Sequence, residues 1–256
     1  MYGRGYGNSG QGMGMSFGPP ITPPIVKQLM IANAVVFVAG NLIREIQILG
    51  AVRPFLVWQQ GFVWQPFTYM WLHGSLGHIA MNMFVLWMFG SQVALIWGPK
   101  RFLRFYLTCG VGAGAIIATW PYLLLGLGIP TYIDIPTVGA SGAVYGVVLA
   151  YSLTWPDRTI MLIFPPVSFR AIWIIPVMFL MTIMMGGGNV SHIGHLGGVI
   201  VGWLALRCRG EAGRLLTTDE LRARWQRYRL RRKLRAVRHE EYRARKSQDE
   251  DKHTYH

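Results

Sequence analysis

The stretch Thr137-Val-Gly-Ala-Ser-Gly-Ala-Val-Tyr-Gly-Val-Val-Leu-Ala-Tyr151 sets Ser141 between Gly139 and Gly142 at the mouth of an apolar helix, directly after a proline-bounded loop at 130–136. A hydroxyl with bare backbone on either side can be approached closely by a neighbouring helix and by a substrate carbonyl, so Ser141 is a candidate nucleophile. Clusters of small residues in apolar helices are more often plain packing surfaces. The serine therefore needs a partner elsewhere in the chain.

A second stretch, Ser191-His-Ile-Gly-His-Leu-Gly-Gly-Val-Ile-Val-Gly-Trp203, supplies one, because His195 is followed by Gly198 at i+3 and Gly202 at i+7. These spacings share one helical face and give the helix a glycine groove beneath its histidine. Gly142 and Gly146, four apart, can pack into that groove, which is expected to bring Ser141 and His195 within hydrogen-bond reach. A serine whose proton passes to an adjacent imidazole is the nucleophile and base of covalent catalysis. His195 is preferred over His192 because only it has the two glycines; His192 and His73 can equally be structural.

A third stretch, His73-Gly-Ser-Leu-Gly-His-Ile-Ala-Met-Asn82, puts His78 and Asn82 at i and i+4 near the start of another apolar helix. Two polar side chains on one face of a membrane helix are costly unless paired or solvated. Both can donate hydrogen bonds toward an oxyanion.

Together these stretches resemble the rhomboid family of intramembrane serine proteases, whose marks are an H-x-x-x-N pair in the second span, a G-x-S-G serine opening the fourth and an H-x-x-G-x-x-x-G histidine in the sixth. The resemblance covers residues 25–209. It implies an all-α membrane protein, a six-span bundle in which Ser141 attacks and His195 accepts and returns the proton. It further implies that the Ser141 backbone N–H, His78 and Asn82 stabilise the oxyanion, and that Tyr145, one turn after Ser141, orients the imidazole by packing. No third acid is assigned, since another buried carboxylate would be costly. The implied substrates are single-span membrane proteins, cut in or near their transmembrane segments where the chain is extended and a small side chain stands at the cut; no cofactor is implied. Access would involve the fifth span and the connection at 186–189, whose glycines would let a cap move. Two positions depart from the family pattern. Trp64-Gln65 stands where a Trp-Arg pair is usual, leaving the loop after the first span without that arginine's hydrogen bonds, and Ala94 stands where the second span commonly has glutamate.

Composition points the same way. Of 256 residues 52% are hydrophobic and 14% charged, too apolar for a soluble domain of this length, and the net charge of +14 is gathered mostly after Trp203. Residues 1–24, rich in Gly, Met and Pro, are expected to be a flexible tail, followed by the core at 25–209 and a basic cytoplasmic tail at 210–256. Spans are expected at 25–43, 77–97, 102–125, 139–155, 171–185 and 190–206, with an aromatic-rich interfacial loop at 44–77. Cys109 and Cys208 lie in apolar stretches and are expected to be buried free thiols. The opening residues lack the pattern of a removable signal peptide, so the first span is expected to serve as the insertion signal.

Lys100, Arg101 and Arg104, then Arg158 and Arg170, then Arg207 and Arg209 flank alternate connections, against Arg44 and Arg53 on the other side. The positive-inside rule makes the first set cytoplasmic. Both termini are then cytoplasmic, and Ser141, His195 and His78 face the opposite side at one depth, in an expected bacterial inner membrane. After Gly210, Thr217-Thr-Asp-Glu220 reads as a capping-box start to an Arg-rich helix running to residue 246. Its apolar residues fall on two faces, so a solvated helix reinforcing topology is the plain reading and attraction to anionic lipids the next. No nucleic acid is expected, since no reading module accompanies the charge. No metal is expected either, because His78, His192 and His195 lack nearby carboxylates or thiolates. Two other classes compete: a catalytically silent membrane chaperone or quality-control factor on the same fold, and a transporter, which would show internal repeats that are not found here.

Overall fold

The computed structural model describes residues 18–19, 21–162, 166–185 and 191–208. Most of the expected N-terminal tail, the connection at 186–189, the capping box at Thr217 and the basic helix after it lie outside the described residues. Met1–Ala205 is one compact unit, and a second begins at Leu206.

Among the described residues, three helices are long and apolar enough to cross a membrane. Helix α1 spans Pro24–Leu42, opening with proline at a position whose N–H needs no partner. The second is continuous over Leu76–Trp97 and consists of α5 (Leu76–Val85), a π-helical turn at Leu86–Gly90 and α6 (Ser91–Trp97). Helix α7 runs over Pro99–Gly126 for 28 residues. Gly98, at φ 77°, and Pro99 reverse the chain between α6 and α7 in a single step, because only glycine takes that backbone angle without strain. At 1.5 Å per residue about 20 residues cover the hydrocarbon core. Over the described residues, helices α8 (Ser141–Thr154), α9 (Ile174–Met185) and α10 (His192–Cys208), with 14, 12 and 17 residues, are shorter than that. A described helix lies at each of the six positions where a span is expected, and three of these helices have full spanning length.

Between α1 and α5 the aromatic stretch folds into α2 (Arg44–Gly50), α3 (Pro54–Gln59), α4 (Gln65–Thr68) and a 3-10 turn at Tyr69–Trp71. Without the usual arginine, the loop is anchored at this position by Gln65 itself. Gln65 is fully buried, its Oε1 accepting from the Arg53 backbone N–H at 3.0 Å and its Nε2 donating to the Leu49 carbonyl at 3.2 Å. Trp64 Nε1 donates to the same carbonyl at 3.1 Å, and Thr68 Oγ1 donates to the Gly50 carbonyl at 2.8 Å. Gln65→Leu keeps the volume but orphans the Arg53 N–H, which costs about 1–3 kcal/mol. A clear fall in melting temperature in detergent is expected; an unchanged one would mean that the loop is held by its other contacts.

The same loop is fastened to the segment that leads into Ser141. Val52 and Thr137 exchange backbone hydrogen bonds at 2.9 and 2.8 Å, Phe55 N–H donates to the Ile133 carbonyl at 2.7 Å, and Arg53 pairs with Asp134 at 2.7 Å. Ala94 is buried, and it is the neighbouring Gln92 that makes a polar contact, accepting from Arg158 and so tying α6 to the turn after α8.

Three features differ from expectation. Residues 21–24 are not a free tail: Thr22 Oγ1 accepts from Trp87 Nε1 at 2.8 Å, and α1 has begun by Pro24. The connection between the fourth and fifth expected spans, where no regular element is expected, holds an antiparallel pair, β1 (Thr159–Met161) with β2 (Ser168–Arg170). Arg170 also pairs with Asp157, and Ala171 N–H donates to the Arg158 carbonyl at 2.8 Å, which closes the base of the hairpin. Both cysteines are free, but only Cys109 is buried; Cys208, at the last position of α10, is exposed.

Candidate active site

Helix α8 begins at Ser141 itself. Two residues earlier Gly139 has φ 132°, a conformation that strains any side chain. Its N–H donates to the Tyr69 carbonyl at 2.9 Å, while the Tyr69 hydroxyl donates to the Gly110 carbonyl of α7 at 2.8 Å. A side chain at 139 would start 2.7 Å from His78 Cε1 and Nε2 and 3.8 Å from Ser141 Oγ. Glycine thus keeps open a gap that the His78 ring and the Ser141 hydroxyl share.

His78 reaches that gap from the first turn of α5. Ser75 caps the helix, its side chain accepting from the His78 N–H at 3.2 Å. Asn82, one turn further, is buried and donates one amide N–H to the His78 carbonyl at 3.0 Å, and among the described residues its second N–H is uncommitted. His73 stands edge-on to His78 with ring centroids 5.0 Å apart. Burial, and then the nearby His78, lower the His73 pKa to about 4, so it is a neutral imidazole at neutral pH.

The third element is α10, capped by Ser191, whose hydroxyl accepts from the Gly194 N–H at 3.2 Å. The His195 ring is buried and lies flat on Tyr145, with centroids 4.4 Å apart and planes 14° from parallel. Phe179 of α9 meets both edge-on, at 5.1 Å from Tyr145 and 6.3 Å from His195. Beneath the histidine the α8 and α10 backbones touch. A side chain at Gly198 would overlap the Gly142 carbonyl, one at Gly202 would start 3.1 Å from Gly146 Cα, and one at Gly146 would start 3.2 Å from the Gly198 carbonyl. That contact carries His195 onto the same side of α8 as Tyr145. No hydrogen bond joins Ser141 to His195 among the described residues, and His195 Nδ1 has no partner. Catalytic hydrogen bonds are often long in a resting site and tighten with substrate. Among the described residues no set of three His, Cys, Asp or Glu converges on a point.

The family model described as the rhomboid domain matches residues 60–211, a span that contains His78, Asn82, Ser141, Tyr145 and His195. The chain belongs to the rhomboid family. It is a membrane protein with the helical rhomboid fold. It is 32% identical over 139 residues to mitochondrial rhomboid protein 1 of Saccharomyces cerevisiae, a match covering 52% of this chain and 38% of that protein. To the mitochondrial presenilin-associated rhomboid-like protein of Mus musculus it is 33% identical over 139 residues, covering 51% and 34%. To the rhomboid protease GluP of Bacillus subtilis it is 29% identical over 160 residues, covering 59% and 27%. The chain thus spans well under two thirds of the length of these rhomboid relatives.

Three residues of this candidate site were not singled out from the sequence. Ser75 and Ser191 were readable, since each is a serine immediately before an apolar helical run. Thr182 was not. It sits inside α9, where its hydroxyl donates to the Met178 carbonyl at 2.8 Å like many helical threonines, and only the fold brings it 3.0 Å from the Tyr145 hydroxyl.

Proposed function

We propose that this rhomboid-family chain is an intramembrane serine endopeptidase. The observation that carries the reading is the His195 ring lying flat on Tyr145, one turn from Ser141, beside a gap that Ser141 Oγ shares with His78. In this reading Ser141 Oγ attacks the scissile carbonyl, His195 takes its proton and later returns it to the leaving amine, and the Ser141 backbone N–H, His78 and the uncommitted N–H of Asn82 receive the oxyanion. The substrates are single-span membrane proteins that enter past α9, cut in or near their transmembrane segments. The chain crosses the membrane six times, with both termini cytoplasmic and the site on the opposite side of a bacterial inner membrane; the basic tail after residue 210 rests on anionic lipids. Detergent-purified protein incubated with a panel of single-span substrates beside a Ser141→Ala control tests the reading. Cleavage by the wild type and none by the variant is expected, whereas equal cleavage by both would overturn it.

The oxyanion roles make a separate prediction. Asn82→Ala should lower kcat far more than it raises KM, because the contact forms mainly in the transition state. The loss of one such donor costs about 2.7–4 kcal/mol in a soluble protease, and two other donors remain here, so the low end or less is expected. His78→Ala should behave alike and the double variant be worse than either. If the activity losses merely follow the melting temperatures, both residues are structural and the backbone alone binds the oxyanion.

A non-cleaving membrane chaperone on the same fold is the second reading. It expects Ser141→Ala to behave as wild type in any assay of client stability.

A further inference from the structure

Within α9, Thr182 and Phe179 stand three residues apart on the face that meets Tyr145. A threonine hydroxyl has one proton, and that of Thr182 goes to the Met178 carbonyl at 2.8 Å. Across the 3.0 Å contact with Tyr145 the phenol must therefore be the donor and Thr182 the acceptor. The donated bond does two things to Tyr145. It fixes the phenol against rotation, and it draws electron density toward an oxygen whose ring lies under His195 at 4.4 Å. An aromatic face stabilises a cation held over it. The ring over this face becomes a cation whenever His195 takes the Ser141 proton.

We infer that Thr182 is a positioning residue for the His195 base, accepting a hydrogen bond from the Tyr145 hydroxyl and so holding the phenol flat beneath the imidazole while α9 is packed against α8. The inference rests on the protease reading above and adds to it a link between substrate entry and the base. Any displacement of α9 that admits a substrate parts Thr182 from Tyr145, and the platform under His195 is complete again only once α9 has returned. Phe179, edge-on to both rings, excludes water from the same contact when α9 is closed.

The test compares Thr182→Val, which keeps the shape and removes the acceptor, with Thr182→Ser, which keeps the hydroxyl. Purified full-length variants are assayed for kcat, KM and melting temperature on a single-span substrate that the wild type cleaves, beside Ser141→Ala. Thr182→Val is expected to lower kcat by roughly ten- to a hundredfold with KM and melting temperature unchanged, since a base misplaced by about an ångström costs on the order of a hundredfold. Thr182→Ser is expected to restore kcat. Tyr145→Phe, which removes the donor, should match Thr182→Val, and the double variant should be no slower than either, as for two halves of one contact. Wild-type kcat in Thr182→Val, a kcat loss that Thr182→Ser shares, or a loss that only follows a falling melting temperature would overturn the inference. If Thr182→Val is as fast as wild type while Ser141→Ala is inactive, this inference alone falls. If Ser141→Ala cleaves normally, the protease reading falls and takes this one with it.

Discussion

Ser141→Ala is expected to reduce cleavage by at least about three orders of magnitude, and His195→Ala to do the same, because each removes a reactant of one step; in a soluble serine protease the equivalent losses reach roughly a million-fold. The double variant should be no worse than either single one, since the serine without its base and the base without its serine are alike idle. Two further readouts separate this from loss of fold. The variants should melt at the wild-type temperature, as Ser141 is the first residue of α8 and caps nothing, and His195 leaves its stacking partner Tyr145 still packed on Phe179. A serine-directed phosphonate probe should label the wild type, fail on Ser141→Ala and react far more slowly with His195→Ala. Rapid labelling of His195→Ala would mean that another group activates the serine.

Gly198→Ala is expected to do nearly as much damage by a different route. Its new methyl would coincide with the Gly142 carbonyl, an atom of the neighbouring helix backbone that no side-chain rotation can move aside. The α8 and α10 backbones would have to separate, and overpacking of this kind costs about 1–3 kcal/mol, occasionally more. The separation also carries His195 away from Ser141, so activity should fall by much more than the stability change alone implies. Gly126→Ala is the control, because nothing lies within 4 Å of its new methyl. It should leave both melting temperature and cleavage at wild-type levels. A Gly198→Ala protein that melts and cleaves like wild type would mean that the two helices can part without consequence.

Much of this architecture was written in the order of apolar runs, because a helix in lipid must satisfy its own backbone and so announces itself by length and composition. The glycines at 142, 146, 198 and 202 were legible for a related reason: at spacings of three and four they share a face, and a face without side chains invites another helix. What stayed hidden depended on single atoms or single residues of register. The π-helical turn at Leu86–Gly90 adds part of a residue to one turn of an apolar run, and hydrophobicity does not change across it. The strands β1 and β2 alternate between exposed and half-buried positions, but at three residues each they are too short for that pattern to stand out. Gln65 was noticed as a departure from the rhomboid pattern, but that its side chain meets the Arg53 N–H and the Leu49 carbonyl follows from how α2, α3 and α4 fold back on one another. Thr182 shows the same limit from the other side: its local bond to Met178 is ordinary, and the bond that matters crosses from α9 to α8.

The loop between α1 and α5 is fastened chiefly through side-chain donors to main-chain oxygens, with Gln65 and Trp64 both on the carbonyl of Leu49 and Thr68 on that of Gly50. A main-chain oxygen is present whichever residue occupies a position, and the Leu49 side chain is itself half exposed. The acceptor half of each fastening is therefore beyond the reach of substitution at position 49, and only the donor half is open to inherited change. Any side-chain donor at 65 that reaches the Leu49 carbonyl needs no matching side chain across from it, but only one that also carries an acceptor, as glutamine does, satisfies the Arg53 N–H as well.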